Sequence, residues 1–172
     1  MRSHLDLREL DLQKGERSEW HVPVEIGPLT LGGLRYDTLI EGDEAVASVA
    51  RVGGGFLVTI RIAARLHGPC FRCLREVALS LEAEEEEFVP QDPAKWTAED
   101  VSPFIDDLVV DVAGISCEAL VLALPTKLLC REDCAGLCAQ CGRDLNEGQC
   151  ACALDTVDPR WDTLKALTDP CP

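Results

Sequence analysis

Apolar and polar residues alternate in short runs along the first half of the chain, and glycines or prolines separate the runs. Such alternation is typical of strands that bury one face. The runs expected to form strands are Leu5–Leu10, Trp20–Ile26, Leu34–Leu39, Glu44–Val52, Phe56–Leu66 and Arg75–Phe88. The clearest hairpin flanks Gly53–Gly55, because glycine reaches the positive φ that a tight reversal requires. The pattern predicts roughly five or six antiparallel strands, in an open sheet or a partial barrel.

The spacing of apolar residues changes in the second half. In Ile105–Ala123 they recur every three or four positions, which predicts a helix. Asp158 followed by Pro159 is typical of a helix start, so a short terminal helix is expected through Leu167. We therefore predict an α+β protein, with a β-rich domain and central helix over residues 1–125 and a cysteine-rich part over 126–172. The proline-bearing, acidic stretch Val89–Pro103 is expected to be an exposed connection.

Composition favours a folded protein in a reducing compartment. Hydrophobic residues make up 47% of the 172 residues and charged residues 27%, close to average globular usage. The start of the chain has no signal-peptide pattern, and Leu108–Leu124 is too short and too charged to cross a bilayer. Without export, the ten cysteines indicate metal ligation rather than disulfides. The working expectation is a cytoplasmic protein with no membrane partner.

The charge is strongly acidic and unevenly distributed. A net charge of −15 opposes broad attachment to a phosphate backbone and favours basic partners. The run Glu84–Glu87 is either a solvated face or a docking surface for a basic protein. A locally basic stretch nevertheless supplies candidate RNA contacts, although a solvated strand end would have the same composition. These candidates are Arg61, Arg65, Arg72 and Arg75.

Six cysteines lie within 23 residues near the end of the chain. They are Cys130, Cys134, Cys138, Cys141, Cys150 and Cys152. In Cys138-x-x-Cys141-Gly142 the spacer lets both sulfurs reach one ion, which is typical of a zinc knuckle. Either Cys150 with Cys152 or Cys130 with Cys134 could complete a tetrahedral set, and the remaining pair could stay in reserve or hold a further ion. Structural Zn²⁺ is the expected cofactor, with buried free thiols and a thiol–disulfide module as alternatives.

The earlier pair, Cys70 and Cys73, is a less specific signal. A lone Cys-x-x-Cys occurs in turns, in metal sites and in redox motifs, so these two are candidate functional thiols of open role. No Ser-His-Asp order, phosphate loop or convincing carboxylate pair is visible. A closed set of four thiolates also leaves no position for a reacting water. We therefore expect a non-enzymatic protein with no catalytic residues and no small-molecule substrate.

Several motifs follow one another in an order that resembles a known family. They are Cys70-Phe-Arg-Cys73-Leu74, Glu118–Pro125, Leu129–Gly142 with its cysteines, Leu145-Asn146, Cys150-x-Cys152 and Asp158-Pro159-Arg160-Trp161. This order is similar to that of the YceD family of bacteria and plastids, also called domain of unknown function 177. The resemblance spans about Leu5 to Leu167 and is most specific in the cysteine-rich half.

The resemblance implies a role in accumulation of large-subunit ribosomal RNA. Family genes commonly neighbour the gene of a small, basic, zinc-binding large-subunit protein, so the implied partner is that RNA or a basic ribosomal protein. Two other functions remain open from the residues. One is a thiol–disulfide oxidoreductase that uses Cys70 and Cys73, and the other is a zinc-stabilised interaction module with no ribosomal link.

Overall fold

The computed structural model describes residues 3–92, 96 and 102–152. The chain forms two compact units, Met1–Cys134 and Ala135–Pro172. The strands and helix of the first unit are β1 (His4–Asp6), β2 (Arg17–Pro23), β3 (Leu29–Leu31), β4 (Leu34–Ile40), β5 (Glu44–Val52), β6 (Gly55–Pro69), β7 (Glu76–Pro90), β8 (Ile105–Asp106), β9 (Val109–Asp111) and α1 (Val112–Ala123). The prediction of a β-rich chain with antiparallel sheets and a central helix is confirmed.

The long strand β6 organises the main sheet. It pairs with β7 along its whole length, from Gly55 opposite Pro90 to Pro69 opposite Glu76. Its other edge is shared, because β5 pairs with the first half of β6 and β4 with the second half. Outside these, β2 pairs with β5 and β3 with β4. The strict alternation of β6 explains its central place, since every second side chain from Phe56 to Leu66 is buried.

The predicted helix Ile105–Ala123 is wrong in its first turns. The segment before Val112 forms the β8–β9 hairpin, and β9 also pairs with β1. Asp107 and Leu108 have φ values of 43° and 65°, which reverse the chain and cannot continue a right-handed helix. The helix begins only after Asp111, whose carboxylate accepts a hydrogen bond of 3.1 Å from the Gly114 amide.

The buried face of α1 covers only part of the apolar spacing that predicted the helix. Val112, Ile115, Ala119 and Leu120 are buried in the core, whereas Leu122, which continues that spacing, is 70% exposed. The hydrophobic core contains these helix residues together with the inner side chains of β6 and β7. Leu122 lies in the last turn of a short helix, beyond the surface that α1 covers.

The end of β6 is held by Tyr36, and this matters for the thiols that follow it. Tyr36 is fully buried, and its hydroxyl donates a 2.9 Å hydrogen bond to the carbonyl oxygen of Pro69. A Cβ on Gly68 would lie 2.8 Å from the carbonyl oxygen of Arg35 and would overlap the Tyr36 ring. Glycine at this position therefore lets β4 and β6 approach closely, next to the start of the Cys70 loop.

Other expectations fall at or beyond the limits of the described residues. The predicted strand Leu5–Leu10 becomes the short β1 followed by a 3₁₀ turn at Leu7–Glu9. The terminal helix from Asp158 to Leu167 lies outside the described residues. In residues 135–152 of the second unit, the described pairing is a single bridge between Leu137 and Asp144. Among the described residues, no helix is long and apolar enough to cross a membrane.

Candidate metal centres

Eight cysteines form two groups of four. The first tetrad is Cys70, Cys73, Cys130 and Cys134, and the second tetrad is Cys138, Cys141, Cys150 and Cys152. Within each tetrad all four sulfurs lie within 4.8 Å of one another. The first tetrad belongs to the first compact unit and the second tetrad to the second unit. Each group could hold a metal ion, and four thiolates are compatible with zinc.

The first half of the first tetrad lies in the loop that joins β6 to β7, here named the first cysteine loop (Cys70–Arg75). The Cys70 amide donates to the Arg75 carbonyl at 2.7 Å, and the Leu74 amide donates to the Cys70 carbonyl at 3.0 Å. These bonds close a tight turn in which Leu74 adopts a φ of 60°. The turn places the Cys70 and Cys73 sulfurs in one cluster at the tip of the hairpin.

The second half comes from the segment that follows α1, and three hydrogen bonds hold this segment against the first cysteine loop. The Phe71 amide donates to the Leu128 carbonyl at 2.7 Å. The Arg72 guanidinium donates to the Cys134 carbonyl at 2.7 Å. The Cys130 amide donates to the Cys70 sulfur at 3.3 Å. Backbone contacts, as well as the sulfurs, therefore join two parts of the chain that are far apart in sequence.

The sulfur separations fit a single tetrahedral ion. Cys70 Sγ lies 3.8 Å from Cys134 Sγ, and Cys73 Sγ lies 3.6 Å from Cys130 Sγ. Four sulfurs bound at about 2.3 Å around a tetrahedral zinc are about 3.8 Å apart. A disulfide would bring two sulfurs to about 2.05 Å, so these cysteines are free thiols.

The thiols of the first tetrad have unequal affinities for protons. Burial raises the pKa of Cys70, but hydrogen bonds from the Cys73, Arg72 and Cys130 amides outweigh it and lower the pKa to about 6. Desolvation, together with hydrogen bonds involving Cys134, Cys73 and Cys70, raises the pKa of Cys130 to about 12. Since metals bind the thiolate, the lowered pKa of Cys70 favours the ligating form.

The second cysteine loop (Cys138–Arg143) repeats the backbone pattern of the first. The Cys138 amide donates to the Arg143 carbonyl at 2.9 Å, and the Gly142 amide donates to the Cys138 carbonyl at 2.9 Å. Gly142 has a φ of 71°, close to that of Leu74 in the first loop. The two loops therefore share both hydrogen bonds and the left-handed residue that follows the second cysteine.

Asn146 turns the chain back between the two cysteine pairs of the second tetrad. Its side-chain oxygen accepts a 2.8 Å hydrogen bond from the Ala135 amide.

In the second tetrad, backbone hydrogen bonds from Cys141 and Gln140, and then the Cys150 thiol, lower the pKa of Cys138 to about 6. A hydrogen bond with the Cys141 thiol, followed by desolvation, raises the pKa of Cys152 to about 12. Each tetrad therefore has one thiol with a lowered pKa and another with a raised pKa.

The sequence allowed either of two cysteine pairs to complete the metal site. In the structure both pairs are used, each in a different tetrad. The fold brings Cys150 and Cys152 to the second cysteine loop, and it places Cys130 and Cys134 with Cys70 and Cys73. The sequence patterns did not predict that the Cys70–Cys73 loop meets the Cys130–Cys134 segment, because the two are distant in sequence. One signal was available, since both loops read Cys-x-x-Cys-x-Arg, and the carbonyl of that arginine accepts the closing hydrogen bond.

The four candidate RNA-binding arginines are divided between two places. Arg61 and Arg65 lie on the exposed face of β6, while Arg72 and Arg75 lie in the first cysteine loop. The Arg61 guanidinium is 2.6 Å from a carboxylate oxygen of Glu19 on β2, and Arg61 lies opposite Glu84 in the register of β6 and β7. Arg72 is engaged by the Cys134 carbonyl. Arg61 and Arg72 are therefore each engaged by an intramolecular partner.

Carboxylates dominate the outer face of the main sheet. We name this surface the acidic face, formed by Glu19, Glu44, Glu82, Glu84 and Glu86. The last three lie at alternate positions of β7, so they point to one side of the sheet. A shallow cavity of about 360 Å³ lies on this face. Four carboxylates, the Arg61 side chain and apolar residues that include Val46, Ala63 and Ala83 line it.

Related proteins share most of the length of the chain. Proteins of Mycobacterium tuberculosis and Mycobacterium bovis are each 35% identical over 153 residues, covering 87% of this chain and 72% of the relative. A Mycobacterium leprae protein is 30% identical over 157 residues, covering 88% of this chain and 62% of the relative. All three are described only as uncharacterized. No solved structure matches the chain.

A family match accounts for the part of the chain that contains both tetrads. Residues 58–168 match the family described as "Large ribosomal RNA subunit accumulation protein YceD". This range includes most of β6, all of β7 and α1, and the eight clustered cysteines. The match agrees with the order of cysteine and proline motifs along the chain. The chain therefore belongs to the YceD family of large ribosomal RNA subunit accumulation proteins.

Proposed function

We propose that the protein is a non-enzymatic factor of large-ribosomal-subunit biogenesis that holds a basic ribosomal protein segment against its acidic face. Membership of the YceD family implies a role in accumulation of the large-subunit RNA. A factor that protects or delivers a basic subunit protein would support that accumulation without catalysing a reaction. The observation that carries the proposal is the row of carboxylates on β7.

The carboxylates of β7 are suited to a cationic partner. Within the described part of the chain, Glu82 and Glu84 form no ion pair, and they flank the cavity on the acidic face. Each exposed ion pair contributes only about 0.2–1 kcal/mol, so recognition needs several of them together. Such a surface mainly accelerates association and makes binding sensitive to salt. Apolar residues in the cavity floor would add contacts with the aliphatic stems of lysine or arginine.

Direct binding of ribosomal RNA has weaker support. Arg61 is paired with Glu19 and faces Glu84 across the strands, and Arg72 is held by a backbone carbonyl. A net charge of −15 further opposes a phosphate backbone. RNA binding is therefore an outcome of the test below, and not the primary proposal.

We assign structural zinc to the second tetrad. Four thiolates complete the tetrahedral coordination of zinc and leave no open position for water, which supports a scaffolding role over hydrolysis. Residues 135–152 contain one bridge and few other backbone pairings, so an ion would supply much of the order of this segment. The oxidoreductase alternative has less support, because Cys70 and Cys73 lie beside two further thiols in a metal-like set.

The test measures binding of a purified basic large-subunit protein and of large-subunit RNA, each at low and at high salt. We expect the protein to bind and the double change Glu82→Gln with Glu84→Gln to weaken binding several-fold at low salt. The matched control is Glu9→Gln with Glu118→Gln, which removes the same charge from exposed positions off the acidic face. Equal binding by the two double variants would contradict the proposed surface.

A cellular measurement tests the biological role separately. Depletion of the protein should lower large-subunit RNA and large-subunit particles relative to small-subunit particles. The double variant of the acidic face should restore them poorly, and the control double variant should restore them fully. Unchanged subunit profiles after depletion would reject the role in biogenesis, and binding to RNA alone would reject the basic-protein mechanism.

A further inference from the structure

We propose that the first tetrad binds a second zinc ion, which cross-links the tip of the β6–β7 hairpin to the segment after α1. This site is independent of the zinc assigned to the second tetrad, and it does not rest on the proposed ribosomal function. Its ligands are Cys70, Cys73, Cys130 and Cys134.

All four sulfurs of the first tetrad approach one another. A pair of disulfides would need only two short approaches, whereas a tetrahedral ion needs every pair of sulfurs to be close. Within the first tetrad all separations are 4.8 Å or less, and two of them are 3.6 and 3.8 Å. This spacing suits one ion with sulfurs at about 2.3 Å, and tetrahedral sulfur coordination is typical of zinc.

The two cysteine loops have similar backbones. Both loops form the same two backbone hydrogen bonds and have a left-handed residue after the second cysteine. In the first loop that residue is Leu74, which pays a steric penalty that Gly142 avoids in the second loop. The Leu74 side chain is 54% exposed, so its burial does not compensate for the strained backbone. The turn that presents the two thiols accounts for the left-handed conformation.

A zinc-loaded first tetrad would be negatively charged. Four thiolates around one Zn²⁺ carry a net charge of −2, which an acidic protein must offset locally. The Cys130 amide already donates to the Cys70 sulfur, as expected for a thiolate. Cationic residues occur on both segments. The Arg72 guanidinium of the loop donates to the Cys134 carbonyl, and Lys127 lies on the segment after α1, whereas Arg131 is paired with Asp133 at 3.2 Å. Lys127 also lies over the Phe71 ring, 5.1 Å from its centroid.

A zinc ion in the first tetrad would stabilise a different part of the protein from the ion in the second tetrad. Its ligands come from segments separated by the whole of β7, β8, β9 and α1. Binding would therefore stabilise the folded state of the entire first unit, because the site exists only when these elements are in place. The second tetrad draws its ligands from residues 138–152 alone, so its ion orders a local segment.

The experiment counts zinc in protein purified under reducing conditions. We expect about two zinc ions per wild-type chain and about one in each of the variants Cys73→Ser and Cys138→Ser. Cys117 lies on α1 outside both tetrads, so Cys117→Ser is the matched control and should retain both ions. The thermal unfolding midpoint of the sheet should fall in Cys73→Ser and stay nearly unchanged in Cys138→Ser.

Cobalt provides a readout that does not depend on the stability of Cys73→Ser. Cys138→Ser loaded with Co²⁺ should show the intense sulfur-to-cobalt charge-transfer and tetrahedral d–d absorption of a tetrathiolate site. A folded Cys138→Ser variant that holds neither zinc nor cobalt would overturn the proposal. Intact-mass evidence of disulfides among these four cysteines in protein prepared with a thiol reductant would overturn it as well.

Discussion

Gly114 lies in the first turn of α1, where the Phe104 ring packs against the helix. A Cβ at this position would overlap the ring and lie 2.7 Å from a carboxylate oxygen of Asp111, the residue that caps the helix. Sequence reasoning treats a glycine inside a helix as a weakness, since alanine is favoured there by about 1 kcal/mol. Because Phe104 packs so closely, we expect the steric cost of an added methyl group to exceed the gain in helix propensity from alanine.

We predict that Gly114→Ala destabilises the protein by about 1–3 kcal/mol, because either Phe104 or the Asp111 cap must move. The measurement is the urea midpoint of the metal-loaded protein. Glu118→Ala, an exposed change on the same helix, should shift stability by less than about 0.5 kcal/mol. A higher midpoint for Gly114→Ala would show that Phe104 does not restrict this position.

Among the elements, the first cysteine loop combines strain with function. Leu74 has a φ of 60° and a mostly exposed side chain, so its conformation is imposed by the turn and not by burial. The left-handed conformation costs about 1–2 kcal/mol for an ordinary residue. Asparagine tolerates this conformation better, whereas a β-branched residue tolerates it worse.

We therefore predict opposite effects for two substitutions of Leu74. Leu74→Asn should keep or raise the unfolding midpoint, and Leu74→Val should lower stability by about 1 kcal/mol or more. The measurement is thermal unfolding of the metal-loaded protein followed by circular dichroism. Equal midpoints for the two variants would mean that the loop relaxes away from the left-handed turn.

At the scale of the whole molecule, the acidic excess is expected to oppose folding. Glu82, Glu84 and Glu86 lie at alternate positions on one face of β7, about 7 Å apart along the strand. That spacing is within the Debye length of about 10 Å at 0.1 M salt, so their repulsion is felt and can be screened. Salt also weakens exposed ion pairs such as Arg61 with Glu19, but each contributes at most about 1 kcal/mol.

We predict that added NaCl raises the urea midpoint of the reduced, metal-loaded protein, because repulsion among 31 acidic residues outweighs attraction to 16 basic ones. The comparison is between about 0.02 M and about 0.5 M NaCl, where the Debye length falls from above 20 Å to below 5 Å. The double variant Glu82→Gln with Glu84→Gln should gain less from salt. A midpoint that falls with salt would show that attractive pairs dominate the surface.

Alternation alone was sufficient to predict the central strands. Leu34–Leu39, Glu44–Val52, Phe56–Leu66 and Arg75–Phe88 correspond to β4, β5, β6 and β7, because each strand buries one face and so carries its own pattern. The start of α1 could not be predicted in this way. Ile105–Asp111 satisfies a helical spacing, but the left-handed Asp107 and Leu108 and the pairing of β9 with β1 decide its structure.

The sequence by itself determined the central strands and which turns present two thiols, because these depend on neighbouring residues. Only the tertiary structure decided the partners of those thiols. Cys70 and Cys73 meet Cys130 and Cys134 because the β6–β7 hairpin and the segment after α1 are brought together by strand pairing and helix packing. Likewise, the register of β2, β5 and β6 brings Arg61 to Glu19. Contacts between distant residues depend on the packing of the whole unit, which no local pattern encodes.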